Sequence, residues 1–251
     1  MKKLIVACAI AATLLSAPAL AADNCEKLPT HEALQKALTD ARRTDNGGFN
    51  LDMWATVVDR SGRVCAVVHT GETVDAQWPG SRVISAQKAN AANAFSLKDL
   101  ALSTANLYSA VQPGGSLFGL QESNPVHTDA AYEGKSTSFG TTKDPLTGQR
   151  IGGVNVFGGG LALYNATGEI IGGIGVSGDS SCADHNIAWR TRHALQLDYV
   201  AGGVSADKND NIIYDIDGGK SAGGFGHPTC GGKEKDALTT LPASRKVADK
   251  N

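Results

Sequence analysis

The stretch Ile151–Gly178, IGGVNVFGGGLALYNATGEIIGGIGVSG, decides the fold of this chain. A third of the chain's 30 glycines lie here. Two apolar runs, Leu161–Tyr164 and Ile170–Val176, flank the polar segment Asn165–Glu169, which contains a glycine. Because glycine accepts the positive φ that closes a hairpin loop, this pattern predicts two neighbouring antiparallel strands.

Part of the same stretch, Gly173–Gly178, matches the G-x-G-x-x-G spacing of a dinucleotide-binding loop, and Asp198 follows about twenty residues later. However, Ile174 and Val176 continue the period-two alternation of a strand through the glycines. The surrounding sequence also lacks the alternating strands and helices that a nucleotide-binding parallel sheet requires. We therefore interpret these glycines as places where a strand lacks side chains because another backbone or a ligand comes close.

Residues 1–21 have the pattern of a secretory signal peptide. Two lysines precede an apolar run, Leu4–Leu15, and Ala19-Leu20-Ala21 provides an A-x-A cleavage site. The apolar run is too short to span a bilayer, and no second run of membrane length follows it. We therefore expect a periplasmic or secreted protein, cleaved near Ala21 and not inserted in a membrane.

The charge balance argues against one class of partner. The 251-residue chain carries 23 basic and 25 acidic side chains, and loss of the signal peptide would make it more acidic. Nucleic-acid-binding proteins normally show a basic face or stripe, which this sequence lacks. We expect no nucleic-acid partner, and the length suits a single domain with appendages.

Four cysteines follow the predicted signal peptide: Cys25, Cys65, Cys182 and Cys230. An even number in an oxidising compartment favours disulfide bonds over free thiols. Four cysteines allow three pairings, and sequence alone does not choose among them. We prefer Cys25 with Cys65 and Cys182 with Cys230, because each bond would tie a terminal segment to the core.

Hydrophobic periodicity predicts the remaining elements. The predicted helices are Pro29–Arg43 with Thr30 as N-cap, Ser81–Phe95, Leu97–Ala110, and a last one from Asp179 or Ser180 to about Leu197. A second hairpin is predicted from Met53–Val58 and Val64–His69, joined by the turn Asp59-Arg60-Ser61-Gly62.

These elements define a domain over residues 22–198 with two less regular parts. Residues 127–150 are polar and aperiodic, and we predict an inserted excursion there. Beyond residue 198 the chain is rich in glycine, and its last twenty or so residues are charged with few apolar anchors. We predict a partly disordered extension over residues 199–251.

Five motifs occur in order along the chain: ATVVDRSG (55–62), AQKA (86–89), VQPGGSLFGLQ (111–121), GGGL (158–161) and GEIIGGIGVSG (168–178). Together they resemble the GlcG/HbpS family of haem-binding or haem-associated proteins, which is related to the C-terminal domain of some corrinoid adenosyltransferases. The resemblance spans about residues 28–197. It implies a single α+β domain: a five-stranded antiparallel sheet of profilin-like or PAS-like arrangement, packed with helices. It also implies a homo-oligomer and a haem or other tetrapyrrole ligand, without a known catalytic reaction.

A haem site needs an apolar slot, one or two axial ligands, and polar or cationic groups for the propionates. None of the six histidines lies in the family's motifs, so the resemblance identifies no axial ligand. We take His31, His69 and His127 as candidate metal ligands from their positions at a helix start, a strand end and the excursion. For each of them, an ordinary solvated or structural position is the favoured alternative.

Other residues could contact a ligand through polar groups. The candidates, besides His31 and His69, are the side chains of Lys88, Gln112, Gln121 and Asn124 and the backbone amides of Gly114 and Gly115. The alternative is that the two glycines only form a tight turn, that Lys88 faces water and that the amides cap loop backbone.

Three functions are compatible with these features. The first is an exported, oligomeric haem-binding protein that acts as a carrier, scavenger or redox-sensing accessory. The second is an accessory or enzyme that acts on a small organic acid, through the polar groups around the QPGG turn. The third is a non-catalytic scaffold stabilised by disulfides. The family resemblance and the signal peptide favour the first.

Overall fold

A four-stranded antiparallel sheet forms the centre of the protein, as seen in a computed structural model that describes residues 24–247. Its strands are β1 (Trp54–Asp59), β2 (Val64–His69), β3 (Gly160–Tyr164) and β4 (Ile170–Ser177), in the order β2-β1-β4-β3. Both predicted hairpins are confirmed. They join through the antiparallel pair of β1 with β4, in which Trp54 lies opposite Ser177 and Asp59 opposite Gly172.

Three long helices surround the sheet: α1 (His31–Arg42), α2 (Ser81–Phe95) and α5 (Ser181–Ala194). The short helices are α3 (Leu120–Ser123), α4 (Thr128–Ala131) and α6 (Glu234–Leu238), and a small ribbon pairs β5 (Ile216–Asp217) with β6 (Lys220–Ser221). Single 3₁₀ turns lie at Asn24–Lys27, Ser109–Val111 and Ser136–Ser138.

The two faces of the sheet are covered by different helices because strand side chains alternate. On one face Val57 and Ile174 pack in a core with α1 and α5. On the other face Val58 and Val67 pack against α2. The molecule therefore has three layers, with the sheet between α2 and the α1–α5 pair.

The long helices begin where the sequence predicts. The Thr30 side chain accepts a hydrogen bond from the Ala33 amide at 3.2 Å, and the Ser180 side chain accepts one from the Ala183 amide at 3.3 Å. Each satisfies an amide that the first helical turn leaves without a partner. The bounds of α2 agree with the prediction, whereas α5 ends at Ala194.

The glycines of β4 allow α2 to lie directly on the strand. A Cβ added at Gly175 would overlap the Ser85 carbonyl oxygen and lie 2.5 Å from the Ala89 amide nitrogen. At Gly173 it would lie 2.5 Å from the Ala89 carbonyl oxygen. The interpretation of close backbone approach is confirmed. Gly173–Gly178, which matches the spacing of a dinucleotide-binding loop, forms the second half of β4 and the residue after it.

The prediction of a five-stranded sheet is wrong, since within residues 24–247 the central sheet has four strands and β5–β6 is separate. The buried segment that precedes β3 contains Gly152 and Gly153, whose φ angles of +62° and +78° interrupt an extended strand. Among the described residues its single β-bridge is the isolated one from Gly152 to Val126. The outer edge of β3 makes single backbone hydrogen bonds, such as that from the Tyr164 amide to the Leu197 carbonyl oxygen.

The predicted helix Leu97–Ala110 is also wrong. This segment consists of turns that end in the 3₁₀ turn at residues 109–111. The Asn106 side chain accepts hydrogen bonds from the amide and hydroxyl of Ser103, at 3.0 and 2.9 Å. Side chains of this kind compete with the backbone hydrogen bonds of a helix, and in this segment they stabilise turns instead.

The preferred disulfide pairing is confirmed. Cys25 is bonded to Cys65 of β2, and Cys182 of α5 is bonded to Cys230. The first bond fixes the N-terminal 3₁₀ turn to the sheet. The second fixes the chain that precedes α6 to the start of α5.

Residues 127–150 and 199–247 both contact the core. In the first segment Asp144 pairs with Arg82 of α2, and both side chains are buried. In the second, Asp210 pairs with Arg192 of α5 at 2.7 Å, again with both side chains buried. No helix within residues 24–247 is long and apolar enough to cross a membrane. The predicted signal peptide, residues 1–21, lies outside the described residues.

Candidate functional site

A cleft of about 520 Å³ opens where the start of α2, the end of β4 and the start of α5 meet. Its rim carries the aromatic rings of Trp78 and Phe157, and its floor carries Lys88 and Asp184. We call it the aromatic cleft. Its volume lies in the range of small-molecule sites, which combine apolar walls with a few polar groups.

The rim of the aromatic cleft exposes two large apolar side chains to solvent. The side chains of Trp78 and Phe157 are 53% and 43% exposed, respectively. Ile84 of α2 adds aliphatic surface between the rim and the floor. Large apolar side chains that stay in water beside a cavity are typical of ligand sites, and flat rings favour a flat ligand.

The floor is a buried ion pair. Lys88 of α2 and Asp184 of α5 are each 2% exposed, and Lys88 Nζ lies 2.7 Å from Asp184 Oδ2. Lys88 Nζ also donates to the Val176 carbonyl at 3.1 Å, and Asp184 Oδ1 accepts from the Asp179 amide at 2.9 Å. Breaking such a pair costs several kcal/mol (about 3–5), so the two side chains are held in place.

Gly159 makes this ion pair possible. Its φ is +117°, in a region that favours glycine, and an added Cβ would lie 3.1 Å from both Lys88 Nζ and Asp184 Cβ. It would also overlap the Val176 carbonyl oxygen. The GGGL motif therefore leaves a gap through which the lysine of one layer reaches the aspartate of another.

Burial controls the protonation of the floor. It raises the pKa of Asp184 to about 6, against the opposing effect of the Lys88 charge and hydrogen bond. The nearby Asp179 carboxylate also raises the pKa of Asp184. The floor thus contains a carboxyl group whose protonation changes close to neutral pH.

A buried histidine supports one wall. His227 Nδ1 lies 2.7 Å from the Pro228 carbonyl oxygen, so Nδ1 carries the proton and Nε2 accepts. Nε2 receives the Gly158 amide at 3.4 Å and lies 3.3 Å from the Ser181 hydroxyl oxygen. Burial lowers the pKa of His227 to about 4, which keeps the ring neutral at pH 7.

A second cavity, of about 680 Å³, lies beside the aromatic cleft. The QPGG turn forms one wall, and the hairpin of β5 and β6 forms the other. Tyr108 lines this cavity and Phe157 lines the aromatic cleft, with their ring centroids 6.3 Å apart. The aromatic pair therefore lies between the two spaces.

A family model described as haem degrading protein HbpS-like matches residues 30–192. The chain belongs to this HbpS-like family. That range contains every residue named above as lining the aromatic cleft.

Several solved structures are similar to the chain. A PduOC:heme complex is 24% identical, with 66% of this chain and 91% of that chain covered and a TM-score of 0.45. The Klebsiella pneumoniae protein ORFY is 27% identical, with 66% and 90% covered and a TM-score of 0.43. A double mutant of Streptomyces reticuli HbpS is 16% identical, with 77% and 99% covered and a TM-score of 0.39. No curated protein matches the chain.

In this member of the HbpS-like family, the predicted polar ligand residues lie in different places. Lys88 is in the aromatic cleft, whereas Gln112, Gly114 and Gly115 line the second cavity. The Gly115 amide donates to the Gln112 carbonyl at 2.8 Å, so the turn uses this donor itself.

The remaining two polar candidates lie on or beside the short helix α3. Gln121 is part of α3 and half-buried, and the exposed Asn124 follows it. The Asn124 side chain donates to the Leu120 carbonyl at 2.9 Å and so caps α3. Neither residue lines either cavity.

The three candidate histidines also lie apart from the cleft. His31 Nε2 is 2.8 Å from the Gly140 carbonyl oxygen. His69 packs on Trp54 with ring centroids 4.7 Å apart, and burial lowers its pKa. His127 is exposed. Gly140 brings His31 and His69 together, because an added Cβ there would lie 3.1 Å from His69 Nε2.

The sequence patterns do not identify three residues of the aromatic cleft: Trp78, Phe157 and Asp184. Trp78 stands before Pro79-Gly80 at the start of α2, and a tryptophan in such a polar turn is a signal for exposed aromatic surface. Asp184 carries no comparable signal, since its partner Lys88 is 96 residues away in the chain.

Proposed function

We propose that this protein is an exported, oligomeric haem-binding protein, which acts as a haem carrier, scavenger or redox-sensing accessory. Membership of the HbpS-like haem degrading protein family over residues 30–192 carries this proposal. The predicted signal peptide supports export, and the exposed Trp78 and Phe157 supply apolar surface that a tetrapyrrole can cover.

The aromatic cleft is the proposed haem site. Its aromatic rim suits the flat face of a macrocycle, and Lys88 offers a cation to a propionate. The described residues that line it include no histidine, cysteine, methionine or tyrosine. The cleft therefore fits the tetrapyrrole plane and a carboxylate, but it supplies no usual axial side chain for iron.

Titration of hemin into the protein without residues 1–21 tests the proposal. A saturable Soret shift is expected for the wild type, and Trp78→Ala or Phe157→Ala should weaken binding about 2- to 10-fold through loss of aromatic contact. Phe118→Ala is the matched control, because Phe118 is 66% exposed and does not line the cleft. A hemin spectrum unchanged by the wild-type protein would refute the proposal.

A comparison of hemin with metal-free protoporphyrin tests the composition of the site. Because the cleft offers no usual axial side chain, metal-free protoporphyrin should bind about as tightly as hemin, within roughly threefold (about 0.6 kcal/mol). If hemin binds far more tightly, and His31→Ala, His69→Ala or His127→Ala removes the difference, that histidine is an axial ligand and the cleft is not the iron site.

Export and oligomerisation have separate tests. Fractionation of cells that express the full chain should recover a processed protein outside the cytoplasm. Light scattering during gel filtration should give a mass of several protomers. A cytoplasmic, unprocessed or strictly monomeric protein would refute the corresponding part of the proposal.

A small organic acid is the second candidate ligand. The observation that favours it is the buried cation Lys88 at the floor of a mainly apolar cleft. Calorimetric titration with aromatic and aliphatic monocarboxylates would detect it, and Lys88→Gln should abolish the signal. If neither hemin nor any acid binds, a disulfide-stabilised scaffold is the better description.

A further inference from the structure

The geometry points to a proton-coupled carboxylate anchor at the floor of the aromatic cleft: a planar ligand bonds Lys88 through its carboxylate while Asp184 takes up one proton. The inference rests on the proposed function, since that places a planar ligand in this cleft. It adds what holds the acidic group and what binding does to the protonation of the protein.

Lys88 can donate one more hydrogen bond than the described residues accept from it. An ammonium group has three donors. Within residues 24–247, two of them are used, by the Val176 carbonyl at 3.1 Å and by Asp184 Oδ2 at 2.7 Å. The third is available to a carboxylate that enters from the cleft, which Lys88 lines.

A bound carboxylate would change the charge balance of the pair between Lys88 and Asp184. Before binding, one buried cation faces one buried anion, and the pair is nearly neutral. An entering carboxylate would place two anions beside one buried cation. Two carboxylates that share a site in this way do not both ionise readily, and one of them takes up a proton.

The groups around the pair identify the one that takes the proton. Besides the pair itself, the charged or titratable groups around it are Asp179 from the loop after β4 and His227 from the segment before α6. The carboxylate oxygens of Asp179 are occupied by backbone donors, since they accept the amides of Phe49 and Leu51 at 2.8 and 3.0 Å.

Asp184 is the remaining acid. His227, whose charge would act on Lys88, is neutral because burial lowers the pKa of His227 to about 4. Burial already raises the pKa of Asp184 to about 6, and a second carboxylate raises it further. Binding therefore draws one proton from solvent to Asp184 above about pH 6.

The ligand class is a flat apolar molecule that carries at least one carboxylate. A haem or other tetrapyrrole meets this description through its propionates, and an aromatic monocarboxylate meets it more simply. Both would use the Trp78 and Phe157 rings for the plane and Lys88 for the acid. The two sources differ in size, so they can be tested separately.

Binding measured against pH tests the anchor. Titrations of the mature wild-type protein with hemin and with hemin dimethyl ester should be made between about pH 6 and pH 8. Hemin affinity should fall about tenfold per pH unit, because one proton is taken up. The ester has no carboxylate, and its affinity should not follow this slope. Naphthoate, as the aromatic acid, should show the same slope as hemin.

Two variants separate the anchor from general effects on the fold. Asp184→Asn removes the group that must be protonated, so it should abolish the slope and raise hemin affinity near pH 8 by up to about 100-fold. Lys88→Met with Asp184→Leu removes both charges and avoids an unpaired buried ion. This double variant should bind the ester as the wild type does and lose the advantage of the acid over the ester.

The outcomes distinguish this inference from the proposed function. A slope that persists in Asp184→Asn, or that the ester shares, would overturn the anchor, even where hemin still binds the cleft. If hemin does not bind and naphthoate binds with the expected slope, the anchor stands and haem binding fails. If the wild type binds neither acid, both fail. Thermal unfolding of each variant shows that the protein tested is folded.

Discussion

Replacing Gly175 of β4 by alanine tests the packing of α2 on the sheet. The added Cβ would overlap the Ser85 carbonyl oxygen and lie 2.5 Å from the Ala89 amide nitrogen and 2.9 Å from Lys88 Cβ. Carbon atoms in contact are normally about 3.5–4.0 Å from their neighbours. Since two of these neighbours are backbone atoms, no side-chain rotation relieves the overlap, and α2 must move by about 1 Å or more.

The expected cost follows from this displacement. Overpacking of a well-packed core typically costs 1–3 kcal/mol, and rigid backbone neighbours place Gly175→Ala near the upper value, about 3 kcal/mol. For a chain of this size each kcal/mol lowers Tm by about 2–4 °C, so we expect a decrease of about 6–12 °C.

Differential scanning calorimetry measures this decrease, and Gly223→Ala is the control. The Cβ of that variant meets only Asp215 Oδ2, at 3.6 Å, and the φ of Gly223 lies outside the left-handed region. Its stability should stay within about 0.5 kcal/mol of the wild type. A Tm of Gly175→Ala within about 2 °C of the wild type, less than 1 kcal/mol, would refute the account of a helix in backbone contact with the strand.

Three further perturbations have defined outcomes. Replacing both Cys182 and Cys230 by serine should cost about 2–5 kcal/mol, seen as a lower urea midpoint without reductant, and an unchanged midpoint would show that this bond constrains nothing. Burial lowers the pKa of His227 from 6.5 to about 4, so the stability that the neutral ring provides is complete above pH 6.5 and is lost as pH falls through about 4. The loss should be about 3 kcal/mol, and His227→Gln should remove that part of the pH dependence of unfolding. Arg82→Met leaves Asp144 buried without its cation and should cost about 3–5 kcal/mol, most of which Arg82→Met with Asp144→Leu should restore; equal losses in both variants would contradict this.

Local features of the fold could be predicted from the sequence because neighbouring residues determine them. The turn before β2 needs Gly62 at φ +78°, and Asp59 Oδ1 accepts the Ser61 and Arg63 amides at 2.8 and 3.0 Å. Thr30 caps α1 through an amide three residues away. Signals of this range are visible in a single sequence.

Features that depend on distant residues could not be predicted. Lys88 and Asp184 are 96 residues apart, and Arg82 and Asp144 are 62 apart, so nothing in either neighbourhood indicates the partner. The sequence therefore predicts Lys88 as a ligand candidate without the aspartate that determines its chemistry. The prediction of five strands is wrong for a related reason. The positive φ of Gly152, which interrupts the segment before β3, depends on the folded chain and is not visible in the sequence.

The ion pair between Lys88 and Asp184 is also a mechanical link. Lys88 belongs to the α2 layer and Asp184 to the α1–α5 layer, and the sheet lies between them. In the proposed anchor, a bound carboxylate leads to protonation of Asp184, which weakens this ion pair and so changes how firmly the outer layers are coupled. Binding in the cleft would then change how readily the α2 layer and the α1–α5 layer slide past each other. No hinge is needed for this effect to reach the far helix layer.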